Sequence, residues 1–180
     1  MDRLKLATVW LGGCSGCHMS FLDLDEWLFD LAARVEVVYS PLVDLKTFPD
    51  HVDLTLVEGA VANEEHLEQI RCIRRKTRLL IAFGDCAVTG NVTALRNQFG
   101  GARQVLQAAY LDGVDHLPQI PSDPGVLPPL IDRVLPVHQV VPVDLYLPGC
   151  PPPADRIRAF LEQVLDGVTP EPKPERIRFG

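Results

Sequence analysis

The chain has 180 residues, 47% of them apolar and 23% charged, the balance of an ordinary folded protein large enough to bury a core. A formal net charge of −7 excludes a general nucleic-acid binder, which needs a basic face, and no apolar run approaches the length of a membrane span. The opening Met1-Asp2-Arg3-Leu4-Lys5-Leu6-Ala7 carries neither a signal peptide nor a twin-arginine export signal, so the expected compartment is the cytoplasm.

Strand and helix signals alternate along the chain. Leu6 to Leu11 is predicted as a buried first strand, closed by Gly12-Gly13. His18 to Ala33 is predicted as one helix, with Phe21, Leu24, Leu28 and Leu31 forming an apolar stripe. Glu36 to Ser40 and Asp53 to Val57 follow as strands, the latter ending in Glu58-Gly59. Asn63 can cap the next helix, whose first turn holds Glu64 and Glu65 and whose last holds Arg74, Arg75 and Lys76. Leu79 to Phe83 is a fourth strand, ending in Gly84. A short helix is expected over 102–111, a proline-rich loop over 117–129 and a helical segment over 129–135. Asp144 to Leu147 is the last strand, and a terminal helix runs over 154–166. Residues 167–180 read as an extended tail, an arm suited to a partner. The pattern predicts a single α/β domain over 1–180, a flavodoxin-like doubly wound parallel sheet in the order 2-1-3-4-5.

The five cysteines sort by position on that fold. Cys14 and Cys17 follow strand one, Cys86 follows strand four and Cys150 follows strand five, so all four sit beyond carboxyl ends of strands, where open α/β sheets bind ligands. Cys72 lies inside the second helix, away from that edge. In a reducing compartment a chain of this size needs no disulfides, so the cysteines are buried apolar groups, redox thiols or metal ligands.

Four thiolates suit a structural zinc or an iron–sulfur cluster. Zinc sites favour two close pairs; here 68 residues separate Cys17 from Cys86 and 63 separate Cys86 from Cys150, a spread more natural for a [4Fe–4S] cubane. Such a cluster is an anion and favours close backbone N–H groups, which Gly12, Gly13, Gly16, Gly84, Gly90 and Gly149 permit by lacking a Cβ. Alternatives remain at this level: a thiol–disulfide protein using Cys14 and Cys17, a zinc-stabilised module, and a flavin protein using the same edge. The first leaves Cys86 and Cys150 without a role, and no Ser/Thr-rich phosphate loop follows strand one for the last.

In chain order, Cys14-Ser15-Gly16-Cys17, Glu58-Gly59-Ala60-Val61, Gly84-Asp85-Cys86-Ala87-Val88-Thr89-Gly90-Asn91 and Pro148-Gly149-Cys150-Pro151-Pro152 resemble the motifs of nickel–iron hydrogenase small subunits, in particular the short form of cytoplasmic bidirectional enzymes that couple hydrogen to NAD. The resemblance implies one [4Fe–4S] cluster on Cys14, Cys17, Cys86 and Cys150. It further implies a large subunit carrying the NiFe centre, and a diaphorase module with FMN, NAD and further iron–sulfur clusters as the exit for electrons. The chain would be one part of a hydrogen:NAD oxidoreductase and not catalytic alone, with no nucleic-acid or membrane partner. Gly13 stands where many members carry Glu, so no role for that carboxylate carries over. The subunit of NADH:quinone oxidoreductases that bears a cluster shares the fold and the Gly-Cys-Pro-Pro ending. It has two adjacent cysteines where this chain has Cys-x-x-Cys.

Around the cysteines, Glu58 is expected near the cluster, as a proton or interface group or as a cap on backbone donors. His18 is expected to bond a sulfur or meet a partner, and Thr89 and Gly16 to belong to the surrounding shell. Trp10 is expected in the core, Trp27 on the polar side of the first helix as a partner contact, and His51, His66, His116 and His138 in solvent.

Overall fold

The computed structural model describes residues 3–113 and 115–170; of the expected tail, 171–180 lies outside the described residues. Five strands, β1 (Leu4–Trp10), β2 (Val35–Tyr39), β3 (Val52–Glu58), β5 (Thr77–Phe83) and β7 (Leu145–Leu147), form a parallel sheet in the order β2-β1-β3-β5-β7. Counted within the sheet, this is the expected 2-1-3-4-5 order. Two further strands, β4 (Val61–Asn63) and β6 (Leu130–Leu135), pair antiparallel beside it.

Alternation along the strands divides the core in two. On β5, Ile81 and Phe83 face α1 (Gly16–Leu22), α2 (Trp27–Arg34) and α6 (Ala154–Leu165). Leu80 and Ala82 face α3 (Glu64–Lys76) and α4 (Asp85–Thr89) on the other side. Asn63 caps α3 as expected, its Oδ1 accepting from the His66 backbone N–H at 2.8 Å, a contact that stabilises a helix by about 1 kcal/mol.

The structure corrects several expectations. The helix over 18–33 is two helices, broken where Asp25 takes φ +49° and the intervening bonds span three residues. Leu24, Trp27 and Leu31 are buried, while Phe21 and Leu28 are only half-buried. Trp27 is 8% exposed in the core, with the Arg158 guanidinium 5.6 Å above its ring, and is not a partner contact. Trp10 moves the opposite way, 46% exposed, its indole N–H donating to the Gly13 carbonyl at 3.1 Å.

The segment over 129–135 is strand β6. Its spacing of apolar residues imitates a helix, but its backbone is satisfied from outside. Asn97 bonds both the N–H and the C=O of Val134, and Arg96 donates to the carbonyls of Ala62 and Ile131. The 102–111 helix is α5 (Ala102–Gln107) running into a wider turn over Ala108–Asp112. A 3-10 helix over Asn91–Phe99 was not foreseen. His51, His116 and His138 are exposed, but His66 is half-buried, its Nδ1 accepting from the Ala62 N–H at 3.3 Å. No helix among the described residues is long and apolar enough to cross a membrane.

Candidate metal centre

Four segments meet at the carboxyl edge of the sheet. The loop after β1 carries Cys14 and enters α1, whose first turn holds Cys17. The β3 end contributes Glu58, the β5 end opens α4 with Cys86, and the loop after β7 carries Cys150. Cys17 and Cys86 are buried, Cys14 and Cys150 exposed. Cys72, on α3, is not among them.

Bonds that do not involve cysteine fix these loops against one another. Asp85 and Gly149 exchange two, Asp85 N–H to Gly149 O at 2.9 Å and Gly149 N–H to Asp85 Oδ1 at 2.7 Å. Gly84 N–H donates to Leu147 O at 2.8 Å. The Ser20 hydroxyl, on α1, donates to Pro152 O at 2.6 Å, and the Thr93 hydroxyl donates to Gly12 O at 2.8 Å. The three cysteine-bearing loops are thus held in register before any sulfur takes part.

Gly84 explains how closely they approach. It sits at φ +82° and ψ 163°, a conformation essentially confined to glycine, and a Cβ there would lie 2.1 Å from Cys17 Sγ. Gly16 is the second glycine turned toward sulfur, where a Cβ would stand 3.2 Å from Cys14 Sγ. The other glycines expected to admit sulfur serve the backbone: a Cβ on Gly12 would meet Ala60 O, on Gly13 the Gly59 Cα, on Gly90 the Ala94 Cβ and on Gly149 the Pro152 Cα.

The thiols feel each other electrostatically. Burial first, then the charge of Glu58 and of Cys86, Cys14 and Cys150, pushes the Cys17 thiol far above its ordinary range. Burial, followed by Cys14, Cys150 and Glu58, likewise raises Cys86, against a hydrogen bond from Thr93 that lowers it. Cys17 and Cys86 are therefore poor free thiolates, and a cationic metal core beside them would relieve the repulsion that keeps them protonated. Two N–H groups face the exposed pair: Gly16 N–H donates to Cys14 Sγ at 3.4 Å and Asn91 Nδ2 to Cys150 Sγ at 3.2 Å. Among the described residues no three His, Cys, Asp or Glu side chains are grouped to hold a single ion.

Glu58 is 1% exposed, and its Oε2 accepts from the His18 backbone N–H at 3.0 Å and pairs with His18 Nδ1. It therefore does cap a backbone donor, and it turns His18 away from any sulfur. His18 Nε2 is a buried nitrogen without a partner among the described residues. The Thr89 hydroxyl donates to Asp85 O at 2.9 Å, serving α4 and not a thiol. Sequence reasoning passed over Asp85, Asn91 and Thr93, which make the bonds it had sought from Thr89 and His18. Asp85 and Asn91 lay inside the Gly84–Asn91 motif, and Thr93 two residues beyond it.

A family model described as NADH ubiquinone oxidoreductase, 20 Kd subunit, matches residues 14–164, from the first of these cysteines to the terminal helix. The chain belongs to that family, and its relatives place it with the hydrogenase members. It is 38% identical over 169 residues to the delta chain of the NAD-reducing hydrogenase HoxS of Cupriavidus necator, covering 92% of this chain and 80% of that protein. It is 38% identical over 172 residues to one chain of the vhu F420-non-reducing hydrogenase of Methanococcus voltae, covering 94% of this chain. The chain spans 59% of the length of that second relative. A crystal structure of an NAD+-reducing [NiFe]-hydrogenase in the H2-reduced state contains a chain that superposes with a TM-score of 0.92 at 41% identity, covering 99% of this chain and 100% of that one. The Ni-Fe-Se hydrogenase of Desulfomicrobium baculatum, at 19% identity and a TM-score of 0.56, shares the fold. The resemblance read from the motifs is borne out, and the two branches weighed there lie within one family.

Proposed function

We propose that the chain is the electron-transferring small subunit of a NAD-reducing nickel–iron hydrogenase, with one [4Fe–4S] cluster held by Cys14, Cys17, Cys86 and Cys150. The observation that carries this reading is the convergence of four thiols from three loops at one sheet edge, with a glycine at position 84 where any side chain would strike Cys17. The likeness to the Cupriavidus necator protein and to the NAD+-reducing hydrogenase chain supports the rest of the assembly. In this reading the assembly has a large subunit with the NiFe centre, diaphorase subunits with FMN, NAD and further clusters, and a cytoplasmic setting without nucleic acid or membrane.

When bound, the cluster supplies a one-electron store between the partners' centres. The protein's own contribution is to fix and tune that store. Buried Cys17 and Cys86 would hold the cluster from the protein side, and exposed Cys14 and Cys150 would hold it from the surface side. The N–H groups of Gly16 and Asn91 stabilise negative charge on the outer sulfurs and favour the reduced form; the buried carboxylate of Glu58 opposes it. The Asp85–Gly149 and Ser20–Pro152 bonds hold geometry through each change of charge, which keeps reorganisation small.

The complex, purified anaerobically, should contain about four iron and four sulfide per copy of this chain beyond those of its partners, with a cubane signal on reduction. Cys86→Ser should abolish electron transfer through this chain and Cys72→Ser leave it nearly unchanged. Zinc in place of iron, an iron-free chain cycling a Cys14–Cys17 disulfide, or equal loss in both variants would overturn the assignment. The chain on its own should take up no hydrogen.

A further inference from the structure

Each of the two exposed cysteines has an N–H group on its sulfur, but the two groups come from different places. At Cys14 the donor is the backbone two residues on, the Gly16 N–H at 3.4 Å from Sγ. The same device is closed to Cys150. Residues 151, 152 and 153 are all proline, so the three positions after that sulfur have no N–H to offer. A donor to Cys150 Sγ comes instead from across the site: the side-chain amide of Asn91, 59 residues earlier in the chain, at 3.2 Å.

The backbone is bent to deliver that amide. Gly90 closes α4 at φ +89°, and Asn91 follows at φ +34°, a left-handed conformation that asparagine tolerates better than most side chains. Glycine would take the same turn without strain, so what asparagine adds at this position is its amide. Asn91 and the Cys150 loop are also tied to one common residue. The Asn91 backbone N–H donates to Thr89 Oγ1 at 3.3 Å, and the Thr89 hydroxyl donates to Asp85 O at 2.9 Å. Asp85 Oδ1 in turn accepts from the Gly149 N–H at 2.7 Å, beside Cys150. These bonds run from 149 through 85 and 89 to 91 and close on the sulfur, which fixes the reach of the amide.

We propose that Asn91 raises the reduction potential of the cluster held by the four cysteines, supplying from a side chain the sulfur donor that the three prolines withhold. The proposal rests on the cluster reading above and deepens it by assigning part of the tuning to one residue. Reduction adds negative charge that is shared with the thiolate sulfurs, so a donor on Cys150 Sγ favours the reduced form. Without the amide, that sulfur would have only whatever water reaches it at the surface.

Redox titration of the intact complex, purified anaerobically as the parent, Asn91→Gly and Asn91→Asp, tests this. Glycine keeps the left-handed turn and removes the amide; aspartate keeps the shape and sets negative charge where the donor stood. Asn91→Gly should shift this cluster against reduction about threefold, or roughly 28 mV at about 59 mV per tenfold for one electron. Asn91→Asp should shift it in the same direction by about tenfold, roughly 59 mV. A residue that only shaped the loop would leave the near-isosteric aspartate at the parent potential. With asparagine labelled in nitrogen-15, pulsed EPR of the reduced parent should show a weak nitrogen coupling that both variants lack. Unmoved potentials, aspartate at or above glycine, or no coupling that separates parent from variants would each overturn the proposal. Loss of iron from both variants would also overturn it, by making Asn91 a residue that holds the site and does not tune it. A parent without iron in this chain fails the cluster assignment itself; a parent with its cluster and unmoved variants fails Asn91 alone.

Discussion

Alanine at position 84 should empty the cysteine site of iron while leaving the sheet folded. Gly84 lies at φ +82°, where an L side chain is strained by about 1–3 kcal/mol. For a protein of this size that cost lowers Tm by roughly 3–10 °C. The larger effect is steric. The new Cβ would lie 2.1 Å from Cys17 Sγ, and ordinary contact begins at 3.4 Å, so the sulfur must retreat by about 1.3 Å (3.4 minus 2.1). Metal–ligand distances tolerate only about 0.2 Å. Cys17 has little room to retreat, because its helix is tied to the Cys150 loop through Ser20 and Pro152. Gly125→Ala is the matched control: φ is +90° there, but nothing lies within 4 Å of the added Cβ. Both variants should show the far-ultraviolet circular dichroism of the parent, with the greater Tm loss in Gly84→Ala; after anaerobic reconstitution only Gly84→Ala should lack iron, sulfide and the reduced-state signal. If Gly84→Ala retained about four iron atoms with the parent spectrum, the Cys17 thiol could not stand before residue 84, and its place among the ligands would be lost.

Glu58→Ala leaves the His18 N–H and ring without their buried acceptor and should cost about 3 kcal/mol in urea unfolding; a loss below about 0.5 kcal/mol would show that the pair contributes little to holding α1. In the metal-free chain, a thiol reagent at mildly alkaline pH should modify exposed Cys14 and Cys150 early and Cys17 last, since burial and adjacent negative charge keep that thiol protonated. Loading with iron and sulfide should then protect all four while Cys72 keeps its rate; peptide mass mapping over time reads both. Burial lowers the His66 pKa below 6.5, so below 6.5 the unfolded chain takes up a proton that the folded one resists. Stability present above pH 6.5 should therefore fall as the pH drops through the folded-state value, and His66→Gln should flatten that part of the stability–pH curve; an unchanged slope would assign the loss elsewhere.

The parallel sheet was legible because its strands are continuous apolar runs ended by Gly or Pro, and their order follows once helices alternate with them. The four cysteines were legible for the same reason: each lies three to seven residues past a strand, so topology alone carries them to one edge. What failed was whatever depends on a local twist. Asp25 in a left-handed conformation breaks the first helix, and no spacing rule reports such a break; Trp27, three residues after Leu24 and four before Leu31, is buried with them. Residues 129–135 have helical spacing, and only distant partners, the β4 strand and the side chains of Arg96 and Asn97, make them a strand. The supporting bonds of Asp85, Asn91 and Thr93 share that character, since each pairs with a group 59 to 81 residues away in one direction or the other.

That the cysteines lie so far apart in the chain has a bearing on how the protein is made. Cys14 leaves the ribosome 136 residues before Cys150, an interval on the order of ten seconds at ordinary rates of synthesis. Over that interval Cys14 and Cys17 are translated without the loop that completes their surroundings, because β7 is the last strand among the described residues and only three residues long. Under the proposed assignment, assembly of the cluster would wait until the Cys150 loop has been made, and a carrier that delivers iron would meet a sheet whose first four strands already exist.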